Sequence, residues 1–155
     1  MRLVESADIE ASVAEVFGAL TDIGHFERLA LRHGVILQRL DGARGMRPGA
    51  EWQLEFPFRG RLRAMTGRVD QMDDPRQMVL GGRSSGFEYR ATLSLTALSR
   101  SSTRLWADLD VRPKSLTARI LLQTLRLGRN RLRSRFAARL GAFAELLHNR
   151  IRSRH

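Results

Sequence analysis

A chain of 155 residues that is 43% hydrophobic and 28% charged fits one domain able to bury its own core. It holds no cysteine, which excludes disulfides, thiolate metal sites and cysteine nucleophiles. No stretch approaches roughly 18 uninterrupted apolar residues, and the opening "MRLVESADIE" lacks a signal peptide's apolar segment, so neither a membrane span nor export by that route is expected.

The net charge of +11 is unevenly placed. Residues 1–113 hold 16 Arg/Lys against 15 Asp/Glu, whereas residues 114–155 hold 11 against the single acid Glu145. Nearly all the excess therefore lies in the last quarter of the chain, and the basic character is a local feature.

In chain order, Leu3, Glu5, Ala7 and Ile9 alternate with Val4, Ser6, Asp8 and Glu10, which predicts a strand. Ser12 followed by Glu15 is a capping-box pattern, and Val13, Val16, Phe17 and Leu20 recur at helical spacing behind it. A second short helix is expected over "HFERLALRH", ending at Gly34. Strands then dominate. "VILQRL" stops at the turn "DGARG", and "AEWQLEFPF" sets Trp52, Leu54, Phe56 and Phe58 against Glu51, Gln53 and Glu55. "RLRAMTGRVDQM" stops at "DDP", with Asp70, Asp73 and Asp74 read as solvated turn acids, and "RQMVL" leads into "GGRSSG". "FEYRATLSLTAL" places Phe87, Tyr89, Ala91, Leu93 and Leu95 on one face, and "TRLWADLDV" does the same for Leu105, Ala107, Leu109 and Val111. Short turns between these strands imply an antiparallel meander with one wet face. Past Pro113 the period is helical from Ser115 to about residue 150. The expected architecture is α+β: a curved antiparallel sheet of about six to seven strands, two short helices after the first strand, and a long C-terminal helix across the concave face.

Three passages resemble the START/polyketide-cyclase superfamily, also called SRPBCC or helix-grip proteins. "IEASVAEVFGALTD" is similar to its opening strand-to-helix passage, "RPGAEWQLEF" to its Pro/Gly approach to the third strand, and "GRVDQMDDPRQMV" to its strand–turn–strand passage. The C-terminal helix completes the order, so the likeness spans nearly the whole chain as one START-like ligand-binding domain over residues 1–155. The resemblance implies a cavity between sheet and long helix for hydrophobic small molecules. It does not fix an activity, because the superfamily includes carriers, receptors, cyclases and co-chaperones.

The residues expected to line that cavity are Trp52, Leu54, Phe56, Phe58, Tyr89, Leu93, Leu105, Leu109, Leu125, Leu132 and Phe136, from the shared strand phase and one helical stripe. Tyr89 is the sole tyrosine. Its hydroxyl either bonds to backbone or water in a core, or contacts a ligand or donates a proton. The histidines His25, His33, His148 and His155 show no metal-ligand spacing, and no nucleophile elbow or phosphate loop occurs. No catalytic residue, metal or cofactor is expected.

"GRNRLRSR", from Gly128 to Arg135, holds four arginines in eight residues. On one straight helix Arg126, Arg131, Arg133 and Arg135 flank or oppose the apolar stripe and should be solvated. Arg129 and Arg139 fall within or beside it. Either Gly128 kinks the helix and resets its phase, or one of these guanidiniums reaches toward the cavity as an anion contact. Three functions stand open: binding or carriage of a lipid-like or polyketide-like molecule; a cyclase, dehydratase or hydrolase in the same cavity; and docking of the arginine helix to an anionic membrane or, less favoured by the dearth of aromatics, to nucleic acid. The expected location is cytoplasmic, free or peripheral to a membrane; oligomeric state is not legible.

Overall fold

Period-two alternation is what lets a strand bury one face, and here it builds seven strands into one sheet. The computed structural model describes residues 1–42, 45–58 and 60–154, with Phe58 by its backbone alone. The strands are β1 (Arg2–Ile9), β2 (Ile36–Arg39), β3 (Glu51–Phe58), β4 (Arg61–Asp73), β5 (Gln77–Ser84), β6 (Phe87–Ser99) and β7 (Ser102–Pro113). They lie in the order β1-β7-β6-β5-β4-β3-β2, every neighbour antiparallel. β2 to β7 form the expected meander, and β1 closes on β7 from the other end of the chain.

Directly opposed residues of an antiparallel pair share a face. Tyr89 lies opposite Gly82 and Val111, Leu93 opposite Met78 and Ala107, and Leu95 opposite Leu105. Leu105 in turn faces Ala7. This face carries the core. The reverse face carries ion pairs, among them Arg2–Asp108 at 2.5 Å, Arg104–Asp8 at 2.8 Å and Arg68–Asp70 at 2.7 Å. Asp70 is thus not a turn acid. It lies within β4, beside a bulge between Val69 and Gln71, and the turn begins only after Asp73.

Four helices cover the core face: α1 (Val13–Leu20), α2 (Ile23–Arg32), α3 (Leu116–Arg126) and α4 (Arg129–Ser153). The capping box is formed in full. The Glu15 N–H donates to Ser12 Oγ and the Ser12 N–H to Glu15 Oε1, both at 3.2 Å. That start sets the phase that buries Val16, Phe17, Ala19 and Leu20 against the sheet and α4. α4 runs along β1 and buries Leu140, Ala144, Leu147 and Ile151, the spacing of one helical stripe.

The single helix expected over residues 115 to about 150 is two. Gly128, at φ −106° and ψ 31°, leaves the helical region and stands as N-cap of α4. The break lets α3 turn Ala118 and Leu122 inward beside β7 while α4 takes its own phase along β1. Arg129 and Arg139 are both exposed in consequence. No helix among the described residues is long and apolar enough to cross a membrane.

A candidate ligand cavity

α2 follows α1 after two residues, yet none of its residues is fully buried. It stands off the sheet and roofs a hollow. The hollow has a volume of about 320 Å³, the lower end of the range for small-molecule sites. Its roof is Leu20 of α1, Ile23, Phe26 and Ala30 of α2, and Phe143 of α4. Its floor is Leu37, Trp52, Leu54, Gly67, Met78, Leu80, Tyr89 and Leu93, with Met46 at the rim. The wall is apolar except for the Tyr89 hydroxyl and the Trp52 indole N–H, which is buried with no hydrogen-bond partner among the described residues. Arg68 borders the hollow, but its guanidinium is held on the reverse face by Asp70.

Two clamps hold the roof. Phe26 meets Phe143 edge to face, with ring centroids 5.8 Å apart, a favoured aromatic geometry. Asp22, the N-cap of α2, accepts hydrogen bonds from the His25 N–H at 3.4 Å and from Arg150 Nη2 at 3.1 Å. Burial pushes the Asp22 carboxyl up, but the Arg150 and His25 bonds and the Arg150 and Arg154 charges outweigh it, and the carboxyl sits below its usual range. Nearby His25 is held below its ordinary value, first by burial and then by the Arg150 charge.

A third clamp closes the rim. The Arg39 guanidinium lies 4.5 Å from the Trp52 ring centroid, donates to the Gly45 carbonyl at 2.9 Å and pairs with Asp41. The Arg39 hydrogen bond holds the Asp41 carboxyl down to about 2. Arg39, at the end of β2, is thereby held over the indole together with its partners Asp41 and Gly45.

The floor has a seam. The β4–β5 register runs from Asp73–Gln77 to Arg68–Gly81. Beyond it side chains take over: the Arg83 N–H donates to Thr66 Oγ1 at 3.1 Å, and Ser84 Oγ donates to the Ala64 carbonyl at 3.1 Å. The Tyr89 hydroxyl donates to the Thr66 carbonyl at 2.7 Å. Gly82 makes room for this closure, since a Cβ there would lie 1.9 Å from the Thr66 carbonyl oxygen and 2.4 Å from the Tyr89 oxygen. Burial raises the Tyr89 hydroxyl above its ordinary value, against the opposing pull of the Arg68 charge. The phenol is therefore neutral at ordinary pH, with a lone pair left to accept one bond from a ligand.

Of the residues read from the sequence as cavity lining, Trp52, Leu54, Tyr89 and Leu93 meet in this hollow. Leu105 is fully buried in the core cluster that includes α1, and Phe136 packs against that same cluster. Leu109 is half-buried opposite Leu3 and Ala91, and Phe56 is half-buried opposite Arg63. Leu125 and Leu132 are half-buried on α3 and α4, away from the hollow. The Phe58 side chain and His155 lie outside the described residues. Arg129 and Arg139, read as anion contacts, are exposed on α4 and do not line the hollow. The sequence reading assigned no lining role to Ile23, Phe26 and Ala30, although their helical spacing is visible in "DIGHFERLALR". Met78 and Leu80 alternate in "RQMVLGG" and carried the same signal.

A seven-stranded antiparallel sheet gripping a long C-terminal helix, hollow beneath a short helix pair, defines the helix-grip class. The family model described as polyketide cyclase/dehydrase and lipid transport matches residues 1–148, and the chain belongs to that family. No curated protein matches it in sequence. Among solved structures it is similar to a norcoclaurine synthase point mutant from Thalictrum flavum in complex with a transition-state analogue, at TM-score 0.71 and 13% identity over 99% of this chain and 95% of that one. A protein from Thermus thermophilus matches at TM-score 0.67 and 14% identity over 99% and 98%. The Zhui aromatase/cyclase from a Streptomyces species matches at 0.65 and 14% over 94% and 93%. At these identities the likeness is one of fold.

Proposed function

We propose that the chain is one ligand-binding domain that binds and carries an apolar small molecule, lipid-like or polyketide-like, in the hollow beneath α2. The observation that carries this reading is the wall. Thirteen of its fifteen residues are apolar or glycine. The polar groups it offers are one neutral phenol and the unpartnered indole N–H of Trp52, since the Arg68 guanidinium is paired with Asp70 on the other face of the sheet. A site of that kind rewards burial of apolar surface, about 25 cal/mol per Å², and orients its guest through few polar contacts. Proton transfer needs an acid or base poised near working pH, and the Tyr89 hydroxyl is displaced upward and committed to the Thr66 carbonyl.

Native mass spectrometry of gently purified protein is expected to show a co-purified apolar mass. Leu54→Glu, which places a charge on the wall, should weaken an environment-sensitive apolar fluorophore by at least about tenfold, because a carboxylate in an apolar site costs several kcal/mol. Unchanged fluorophore affinity in a folded Leu54→Glu protein would place binding elsewhere.

A second reading, a cyclase-type enzyme, draws on Tyr89 as a wall residue whose hydroxyl keeps a lone pair free. Tyr89→Phe separates the two. Carriage tolerates it, whereas a reaction using the phenol as donor loses about a hundredfold or more in rate with binding retained.

A further inference from the structure

α3 is amphipathic in the reverse of the usual sense. Its inner face is narrow, with only Ala118 and Leu122 fully buried. Its outer face is apolar: Leu116 is 72% exposed, Ile120 57%, Leu121 48%, and Leu127, at the break before α4, 90%. Leu116, Ile120 and Leu127 fall within about 40° of one another around the helix axis, so they form one ridge. A run of large exposed aliphatic side chains on one short helix is unusual for a free surface and marks a contact site.

The charge around the ridge says what the contact is. Residues 114–139 contain eight Arg/Lys and no acid. Arg119 and Arg126 lie along one flank of the ridge, and the exposed Arg131 and Arg135 continue the basic surface onto α4. A second copy of this chain is disfavoured, because a two-fold contact sets the same patch against itself and opposes like charges. Nucleic acid matches the charge but offers nothing to an aliphatic ridge, and α3 has no aromatic residue for base stacking. An anionic bilayer satisfies both features at once. Its acyl boundary receives the aliphatic side chains, and its headgroups receive the guanidiniums.

We infer that α3 is a membrane-docking helix: it lies in the interface of an anionic bilayer with Leu116, Ile120 and Leu127 inserted and Arg119, Arg126, Arg131 and Arg135 on the headgroups. α3 contributes nothing to the wall of the hollow, so this docking and the carriage reading stand or fall separately.

The test is co-sedimentation of the full chain with phosphatidylcholine vesicles, with and without about a third phosphatidylglycerol, at low and high salt. Two variants are compared, Leu116→Ser/Ile120→Ser/Leu127→Ser and Arg119→Gln/Arg126→Gln/Arg131→Gln/Arg135→Gln. All seven positions are off the core, and thermal melts confirm folding. The wild type is expected to bind only the anionic vesicles. Each variant should lose at least about tenfold in affinity, and the arginine variant should also lose the salt sensitivity. Wild-type vesicle binding by the aliphatic variant overturns the inference. So does a wild-type dimer in light scattering that the aliphatic variant dissolves without any vesicle binding. An oligonucleotide bound by wild type and aliphatic variant alike, with no lipid binding by either, overturns it in favour of nucleic acid.

Discussion

A Cβ at Gly82 would stand 1.9 Å from a backbone oxygen, and backbone cannot step aside as a side-chain tip can. The glycine is there because β4 approaches β5 across the Tyr89–Thr66 bond, a known reason for glycine inside a strand. Gly82→Ala should destabilise the fold by about 1–3 kcal/mol in urea unfolding, the cost of overpacking a close contact. Tyr89→Phe removes only one hydrogen bond and should cost about 1 kcal/mol. The ordering is the point: an alanine at 82 that unfolds at the wild-type urea concentration would mean that the seam is not held closed at Thr66. The sequence placed Tyr89 on the inner face through its alternation with Phe87 and Leu93. It could not show the partner, because Thr66 lies 23 residues away and bonds through its carbonyl, which every residue possesses.

At the scale of elements, local signals were legible and tertiary ones were not. The capping box at Ser12 and Glu15 is complete within four residues, and it forms as read. Alternation along β6 and β7 told which residues share a face, but not where along that face the hollow lies. α1 fills the space over Leu105, and α2 stands away over Leu54 and Leu93, so residues of equal phase divide into core and cavity wall. The straight-helix assumption placed Leu125 and Leu132 on one stripe with Phe136, and the break at Gly128 separates Leu125 from it. α2 itself is the element most open to test, since only its edges are clamped. Asp22→Ala removes an N-cap and the Arg150 contact together and should cost about 1–2 kcal/mol. The folded-state carboxyl titrates below its unfolded value, so this stabilisation is complete above about pH 4 and fades as pH falls through the lower folded value. Wild type and Asp22→Ala should therefore differ in melting temperature near neutrality and converge in acid. A constant gap down to the acid limb would assign the loss to the helix cap and not to the ionised pair. Release of an apolar fluorophore should also quicken in Asp22→Ala, because the roof is freed at one end.

Across the whole molecule, charge is organised in two regimes. On the outer face of the sheet arginines meet aspartates in pairs, across β1 and β7 for Arg2–Asp108 and Arg104–Asp8 and within β4 for Arg68–Asp70. On α3 and the first half of α4 the basic residues have almost no acid within reach. Arg133 finds Glu5 at 3.6 Å, while Arg126, Arg131 and Arg135 have no ion-pair partner among the described residues. All four are exposed, so none supports the core. Replacing the four with glutamine removes one long, half-exposed ion pair, worth well under about 1 kcal/mol, and relieves repulsion of similar size. The melting temperature at about 0.15 M salt should then be nearly that of the wild type. The difference should appear on dilution of salt. As the screening length grows from about 8 Å toward about 30 Å, the crowded guanidiniums of the wild type repel one another more strongly and its melting temperature should fall. The glutamine variant should fall less. Parallel melts over a salt series decide this. A variant destabilised at every salt concentration by more than about 1 kcal/mol would show that these side chains support the packing of α4 on β1. Equal salt slopes would show that the basic surface is too dispersed to repel itself, and too dispersed to concentrate anionic lipid.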